Sequence, residues 1–283
     1  MRLGAAVVLV FAIGLAIGRA SASAPEAAAT VPTWTVAGAL SEARNYPRVV
    51  TLPNGELFVT GGVDPAYLDV ARATSELFDP STGRSTVLAA AGPGRVNHTA
   101  TLAWGDRVVV IGGTEYYGGS WHAMDRVDVY LSYSHVWLRG ASMPDARADH
   151  AAVALRDGRV LVAGGENGNF IYRSAQIYDP STDRWTAAAP MPRVRTQFLM
   201  TALPDGSVAL VGGLPDSPSR VGFAPTAGAE RWDPRTNTWS ELPAIAAGRA
   251  LGSLVVSGGD VYLVGAPLLA EEADPQIERL RLQ

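Results

Sequence analysis

His150-Ala151-Ala152-Val153-Ala154-Leu155-Arg156-Asp157-Gly158-Arg159-Val160-Leu161-Val162-Ala163-Gly164-Gly165 holds two short apolar runs joined at Asp-Gly. Asp157-Gly158 reads as a hairpin turn, because Asp and Gly accept the positive φ such turns need. The second run ends at Gly164-Gly165. A third run, Ile177-Tyr178-Asp179-Pro180, ends in Asp-Pro, which starts another turn. Trp185 then opens a fourth run. Four short runs joined by tight turns make one small antiparallel sheet.

The same grammar recurs along the chain. Gly-Gly follows an apolar run at Gly61-Gly62, Gly112-Gly113, Gly164-Gly165 and Gly212-Gly213, with a degenerate copy at Gly265-Ala266. The intervals are 51, 52, 48 and 53 residues. The hairpin turns are Asn54-Gly55, Gly105-Asp106, Asp157-Gly158, Asp205-Gly206 and Gly259-Asp260. Asp-Pro recurs at Asp79-Pro80 and Asp233-Pro234, and the fourth-run tryptophan at Trp137 and Trp239. A period near 50 with repeated strand signals means a propeller or a solenoid.

These features resemble the kelch repeat. Arg95-x-x-His98 and Arg147-x-x-His150 also match its usual opening. The resemblance covers residues 34–283 and implies an all-β propeller. Five copies imply five four-stranded blades, where kelch propellers usually have six or seven. Thr33-Trp34-Thr35-Val36 resembles Thr238-Trp239-Ser240-Glu241, so the N-terminal strand is expected to complete the last blade. That closure would remove two open sheet edges. Closure by a partner or a small oligomer is the other solution.

Composition narrows the chemistry. The chain has 283 residues, 47% hydrophobic and 18% charged, enough for a core and too little charged for a disordered tail. Cysteine is absent, which excludes disulfides, thiolate metal sites and Cys nucleophiles. All 23 basic residues are Arg, which excludes a Schiff-base lysine and a P-loop lysine. A lysine-free, Ala-rich chain fits GC-rich bacterial coding. The net charge of −4 argues against nucleic acid as a partner.

Met1-Arg2, the apolar run Leu3 to Ile17 and the small residues around Ala20-Ser21-Ala22 read as a secretory signal peptide over residues 1–22. The run is short for a bilayer span, which needs ~20 apolar residues. No stable membrane insertion is expected after cleavage. Residues 23–33 read as a linker, and 34–283 as the propeller. The expected location is the bacterial periplasm or cell exterior.

Strand directions sort the connections onto two faces. The short hairpins and Asp-Pro turns share one; the longer, variable loops after Gly-Gly share the other with the links between blades. Function on a rigid scaffold concentrates in such loops. Arg44, Arg95, Arg147 and Arg195 each lie 17 residues before their Gly-Gly, and Arg249 lies 16 before Gly265. Guanidinium forks bind carboxylate, phosphate or sulfate. Each Arg therefore either faces an anionic ligand or pairs with loop carbonyls and acids such as Glu42, Asp149 or Glu166.

Aromatics punctuate the loops. Thr114 to His122 holds Glu115, Tyr117 and Trp121, and Glu166 to Arg173 holds Tyr172. Asp64 and Tyr67 lie in the first loop, Arg220 and Phe223 in the fourth. Tyr and Trp beside amides and carboxylates suit sugars and peptides, or else fill gaps between blades. Trp34, Trp137, Trp185 and Trp239 read as packing between blades. His98 and His150 share one repeat position, filled elsewhere by Pro47 and Phe198, which favours packing over catalysis. No zinc spacing, nucleophile elbow or nucleotide loop occurs, so no cofactor or metal is expected.

The reading is an exported, non-catalytic module that binds a protein or carbohydrate, an anionic one included, through the Arg-bearing loop face. Two enzyme families with kelch-type blades bear on it. Galactose oxidase is similar in scaffold, but its copper site needs a Cys-linked Tyr that this chain lacks. Resemblance to periplasmic N-acetylneuraminate epimerase implies the alternative, a sugar-handling enzyme using Glu115 or Glu166 as acid and base.

Overall fold

The computed structural model describes residues 35–215, 224–250, 252–265 and 277–281. The expected leader and linker lie outside them, as do Trp34, Arg220 and Phe223.

Runs of β-branched and small residues, cut short by the turns, form strands of four or five residues. The first repeat gives β1 (Arg48–Thr51), β2 (Leu57–Thr60), β3 (Ser75–Asp79) and β4 (Arg84–Leu88). The second gives β5 (Thr99–Leu102) and β6 (Arg107–Ile111), a separate hairpin of β7 (Thr114–Tyr117) and β8 (Ser120–Ala123), then β9 (Val127–Leu131) and β10 (Val136–Arg139). The third is β11 (Ala151–Ala154), β12 (Val160–Ala163), β13 (Ala175–Asp179) and β14 (Arg184–Ala188). The fourth is β15 (Leu199–Ala202), β16 (Val208–Val211), β17 (Ala229–Asp233) and β18 (Thr238–Leu242). The fifth is β19 (Ser253–Ser257), β20 (Asp260–Val264) and β21 (Ile277–Leu280). Each repeat is one antiparallel sheet in the expected order. The first strands β1, β5, β11, β15 and β19 pack side by side in chain order, so the sheets stand as blades around an axis.

Blade five has three strands among the described residues. Of the segment expected to supply its fourth, Thr35 and Val36 carry no strand, and Thr33 and Trp34 lie outside the described residues. The register that follows is informative. Ala141, after β10, donates its N–H to Asp183 of blade three; Ala189, after β14, donates to Asn237 of blade four. Ala37-Gly38 lies against the corresponding turn of blade one, where a Cβ on Gly38 would come 2.3 Å from the Gly83 carbonyl oxygen. Ala37-Gly38 thus packs on blade one much as Ala141 and Ala189 pack on blades three and four.

The core lies between blades. Trp137 of blade two packs with Tyr130 and with Phe58 of blade one, at 5.1 and 5.8 Å between ring centres. Trp185 sits on the cluster joining blades two and three, and Trp239 on the one joining three and four. Their indole N–H groups donate to the carbonyls of Ala141 and Ala189, both at 2.8 Å. The tryptophans pack between blades, as expected. Burying such side chains contributes ~1.5–3 kcal/mol each, so blade contacts carry much of the stability.

Gly-Gly is a stitch between blades. The second glycine of each pair donates its N–H to the carbonyl of the arginine that opens the next blade: Gly62 to Arg95, Gly113 to Arg147, Gly165 to Arg195 and Gly213 to Arg249, at 2.7–2.9 Å. Both glycines have positive φ. A Cβ on Gly61 would lie 2.3 Å from the His98 ring and 2.6 Å from the Arg95 carbonyl oxygen, so no side chain fits.

Candidate functional site

All five arginines of the ring are buried. Arg44, Arg147 and Arg195 donate to the carbonyl of the first glycine of their own blade's pair, at 3.3, 2.9 and 2.7 Å. In four of the five blades the second residue of the third strand supplies the counter-charge. Glu76 accepts from Arg44 at 2.9 Å, Asp128 accepts from Arg95, Glu230 from Arg195, and Glu278 from Arg249 at 2.8 Å. Burial would raise the Glu76 pKa; hydrogen bonds from Ser85, Ser41, Arg44 and Glu42 outweigh it and hold the carboxyl below its usual range. Burial raises that of Glu230 despite Arg195. Burial also lowers the basicity of Arg95, Arg147 and Arg195, against their carboxylate partners.

The arginines therefore underlie the loop face and brace it; their forks do not line it. Glu42 is a partner of Arg44, at 3.2 Å, as the sequence led one to expect. The larger acids are Glu76, Asp128, Glu230 and Glu278, which the sequence reading missed. Their signal was available: each is the second residue of the third run, and Glu76, Asp128 and Glu230 each lie four residues before the turn that follows.

Blade three breaks the pattern. Gln176 stands where the other blades have an acid. The ion pair of Arg147 is with Asp145 at 3.3 Å, whose side chain is 45% exposed. Arg147 Nε and Gln176 Oε1 are both buried without a hydrogen-bond partner. Tyr172 covers this arginine, with the guanidinium carbon 4.7 Å from the ring centre. Asn167 donates to the Tyr172 hydroxyl at 2.7 Å. Tyr172 is thus a brace for the loop rather than an open contact.

The supposed aromatic loop of blade two is a strand hairpin. Gly118 and Gly119, at φ 59 and 83, make the positive-φ turn that favours it, and Thr, Tyr and Trp are strong strand formers. Glu115 pairs with His122 and Tyr116 with Trp121 across the ladder. Tyr117 stacks on His122 at 4.0 Å, and Tyr116 meets Trp121 edge-on at 5.3 Å.

This hairpin forms one wall of a cavity of about 260 Å³ on the Gly-Gly face. Trp121 and Thr114 line it from blade two, Glu166 and Asn167 from blade three, and Asn97 and Asp149 from the links into those blades. Asn97, Asp149 and Gln197 take equivalent positive-φ positions near the axis. The Asp149 N–H donates to the Asn97 carbonyl and the Gln197 N–H to that of Asp149, both at 3.0 Å, which fixes the cavity floor. Of the residues picked from sequence, Trp121 and Glu166 come together here. The five arginines, Tyr117 and Tyr172 do not line it, and neither does Glu115. Asn97, Asp149 and Asn167 were missed as lining residues, because their turns place them, not a side-chain motif. Among the described residues no His, Asp and Glu cluster could hold a metal ion.

His98 and His150 are buried beneath the stitches. Burial is the first cause of their low basicity, reinforced by nearby Arg95 and Arg147 respectively; His150 falls to about 3. Phe198 fills the same position in blade four, its ring against Gly164 as that of His98 is against Gly61. The packing role read from the sequence holds.

Residues 146–192, which span all four strands of blade three, match the profile of the kelch motif. The chain is 30% identical over 144 residues to the Kelch-like protein terF of Aspergillus terreus (strain NIH 2624 / FGSC A1156). The match covers 48% of this chain and 31% of that protein, so the chain spans about a third of its curated relative's length. The solved structure of YjhT superposes with a TM-score of 0.67 at 18% identity, over 82% of this chain and 75% of that one.

Proposed function

We propose that this chain, a kelch-repeat β-propeller, is an exported binding module that holds a glycan on its Gly-Gly face, in the cavity between the loops of blades two and three. One observation carries the reading: Trp121 lines that cavity together with Asn97, Asp149 and Glu166, while the Asn167 amide braces its own loop by accepting from the Asn169 and Phe170 N–H groups and donating to Tyr172. An indole packs against the C–H face of a sugar ring, and amides and carboxylates hydrogen-bond its hydroxyls. No arginine lines the cavity, which favours a neutral glycan over an anionic one.

Export is supported by the basic start, the apolar run and the small residues before Pro25. Among the described residues no helix is long and apolar enough to cross a membrane. A protein partner on the same face is the second reading, favoured by the exposed Tyr46, Tyr67, Leu68 and Phe170. A sugar-transforming reading calls for a carboxyl group tuned beside the cavity. Glu230, a carboxyl that burial does raise, is locked to Arg195 in blade four, away from the cavity.

The test is calorimetric titration of the mature protein with neutral oligosaccharides, repeated with Trp121→Ala. Binding that Trp121→Ala weakens about tenfold or more supports the reading; loss of one stacked ring is of that order. If no oligosaccharide binds, or if the variant binds as tightly as the parent, the reading fails.

A further inference from the structure

The opposite face has a site of different chemistry. We infer that the crevice between the turns of blades two and three binds an acidic sugar ring, with the ring on Trp104 and its carboxylate or sulfate on Arg107. The inference is independent of the Gly-Gly face.

The first turn of blade two departs from the Asx-Gly pattern. Trp104-Gly105-Asp106 forms a single 3-10 turn, with Gly105 and Asp106 at φ 68 and 74. This turn lifts Trp104 into solvent, at 76% exposure the most open tryptophan among the described residues. The neighbouring blade supports it from below: a Cβ on Gly158 would meet the Trp104 Cβ at 2.3 Å. The indole is thus held on a seat that only glycine leaves room for.

Beside it opens a crevice of about 350 Å³, lined also by Arg107, Asp157, Arg159, Asp179 and Ser181. Its charges are not equally available. Arg159 holds Asp157 through two donors, at 2.9 and 2.7 Å. Asp179 accepts from the Ser181 N–H and hydroxyl, at 2.8 and 2.6 Å. Arg107 makes no side-chain hydrogen bond or ion pair among the described residues, and its guanidinium lies over the Gly105 turn. The open groups are therefore a flat apolar face and a five-donor fork. A pyranose stacks on the first, and one carboxylate or sulfate takes the second in bidentate fashion. The two aspartates limit the bound ring to one negative charge.

The test is titration with a hexuronate disaccharide, a sulfated disaccharide and the neutral disaccharide of the same linkage, read by calorimetry. Wild type, Trp104→Ala, Arg107→Gln, Arg107→Lys and Trp121→Ala are compared, with thermal melts to confirm folding. One acidic disaccharide is expected to bind wild type and Trp121→Ala alike, and the neutral one not to compete. Trp104→Ala and Arg107→Gln should each weaken binding about tenfold or more, and Arg107→Lys less, since it keeps the charge without the fork. Preference between carboxylate and sulfate identifies the acid group. Three results overturn the inference: no saturable binding of either acidic disaccharide, equal binding by Trp104→Ala and Arg107→Gln, or loss in Trp121→Ala instead.

Discussion

Replacing His98 by Phe removes an imidazole that the fold holds neutral, and its effect depends on pH. The ring is 0% exposed, with neither nitrogen hydrogen-bonded. Its folded pKa lies well below the usual 6.5, and that of His150 is about 3, burial being the first cause for both. A lowered folded pKa in a base means that the unfolded chain takes up the proton first. Stability is then full above pH 6.5 and falls as pH drops below it. The slope is about 1.4 kcal/mol per pH unit for each histidine. Between pH 7 and 5 each costs about 2 kcal/mol, so the pair costs about 4. His98→Phe should halve that loss, because Phe198 already occupies the equivalent nest against Gly164. At pH 7.5 the variant should match or exceed the parent by about 1 kcal/mol, since two unpaired buried nitrogens are gone. Urea unfolding at pH 7.5, 6 and 5, followed by tryptophan fluorescence, measures it. The lowered carboxylates such as Glu76 titrate below this window, and Glu230, raised by burial, contributes equally to parent and variant. Equal losses for parent and variant between pH 7 and 5 would refute the reasoning.

Glu230→Ala leaves Arg195 buried without its carboxylate and should destabilise the chain by about 3–5 kcal/mol in the same unfolding assay. Gln176→Glu supplies blade three with the acid that the other four blades have. It gives Arg147 Nε an acceptor but replaces the Gln176 donor to Asp145 with a second carboxylate, so stability at pH 7 should change by less than about 1 kcal/mol in the same assay. Gly119→Val forces a branched residue to φ 83 in open space, at a cost of about 1–2 kcal/mol confined to the hairpin. Calorimetry should show weaker glycan binding with the melting temperature nearly unchanged.

Much of the fold was legible because a repeat states its pattern five times. Gly-Gly marks the end of the second strand in four of the five blades, and its meaning as a stitch follows from positive φ and close approach to the next blade. The fourth-run tryptophans announced the packing between blades in the same way. The Arg ring was read in place but not in depth. Its burial depends on Glu76, Asp128, Glu230 and Glu278, which lie 29–35 residues downstream and reach their arginines only through the sheet. The β7–β8 hairpin was hidden by expectation: Gly118-Gly119 was read as loop, although its flanking residues are strand formers. The cavity was least legible. Asn97 and Asp149 meet Trp121 because two blades stand side by side, and no local motif encodes that.

The central claim is that the Gly-Gly face of blades two and three holds the ligand. Hydrogen-exchange footprinting of the mature protein, with and without the oligosaccharide selected by calorimetry, tests it most directly. Slower exchange is expected in residues 114–123 and 166–168, with the Asp-Pro turns of blades one and four unchanged. Protection confined to other blades, or no protection at saturation, would contradict it.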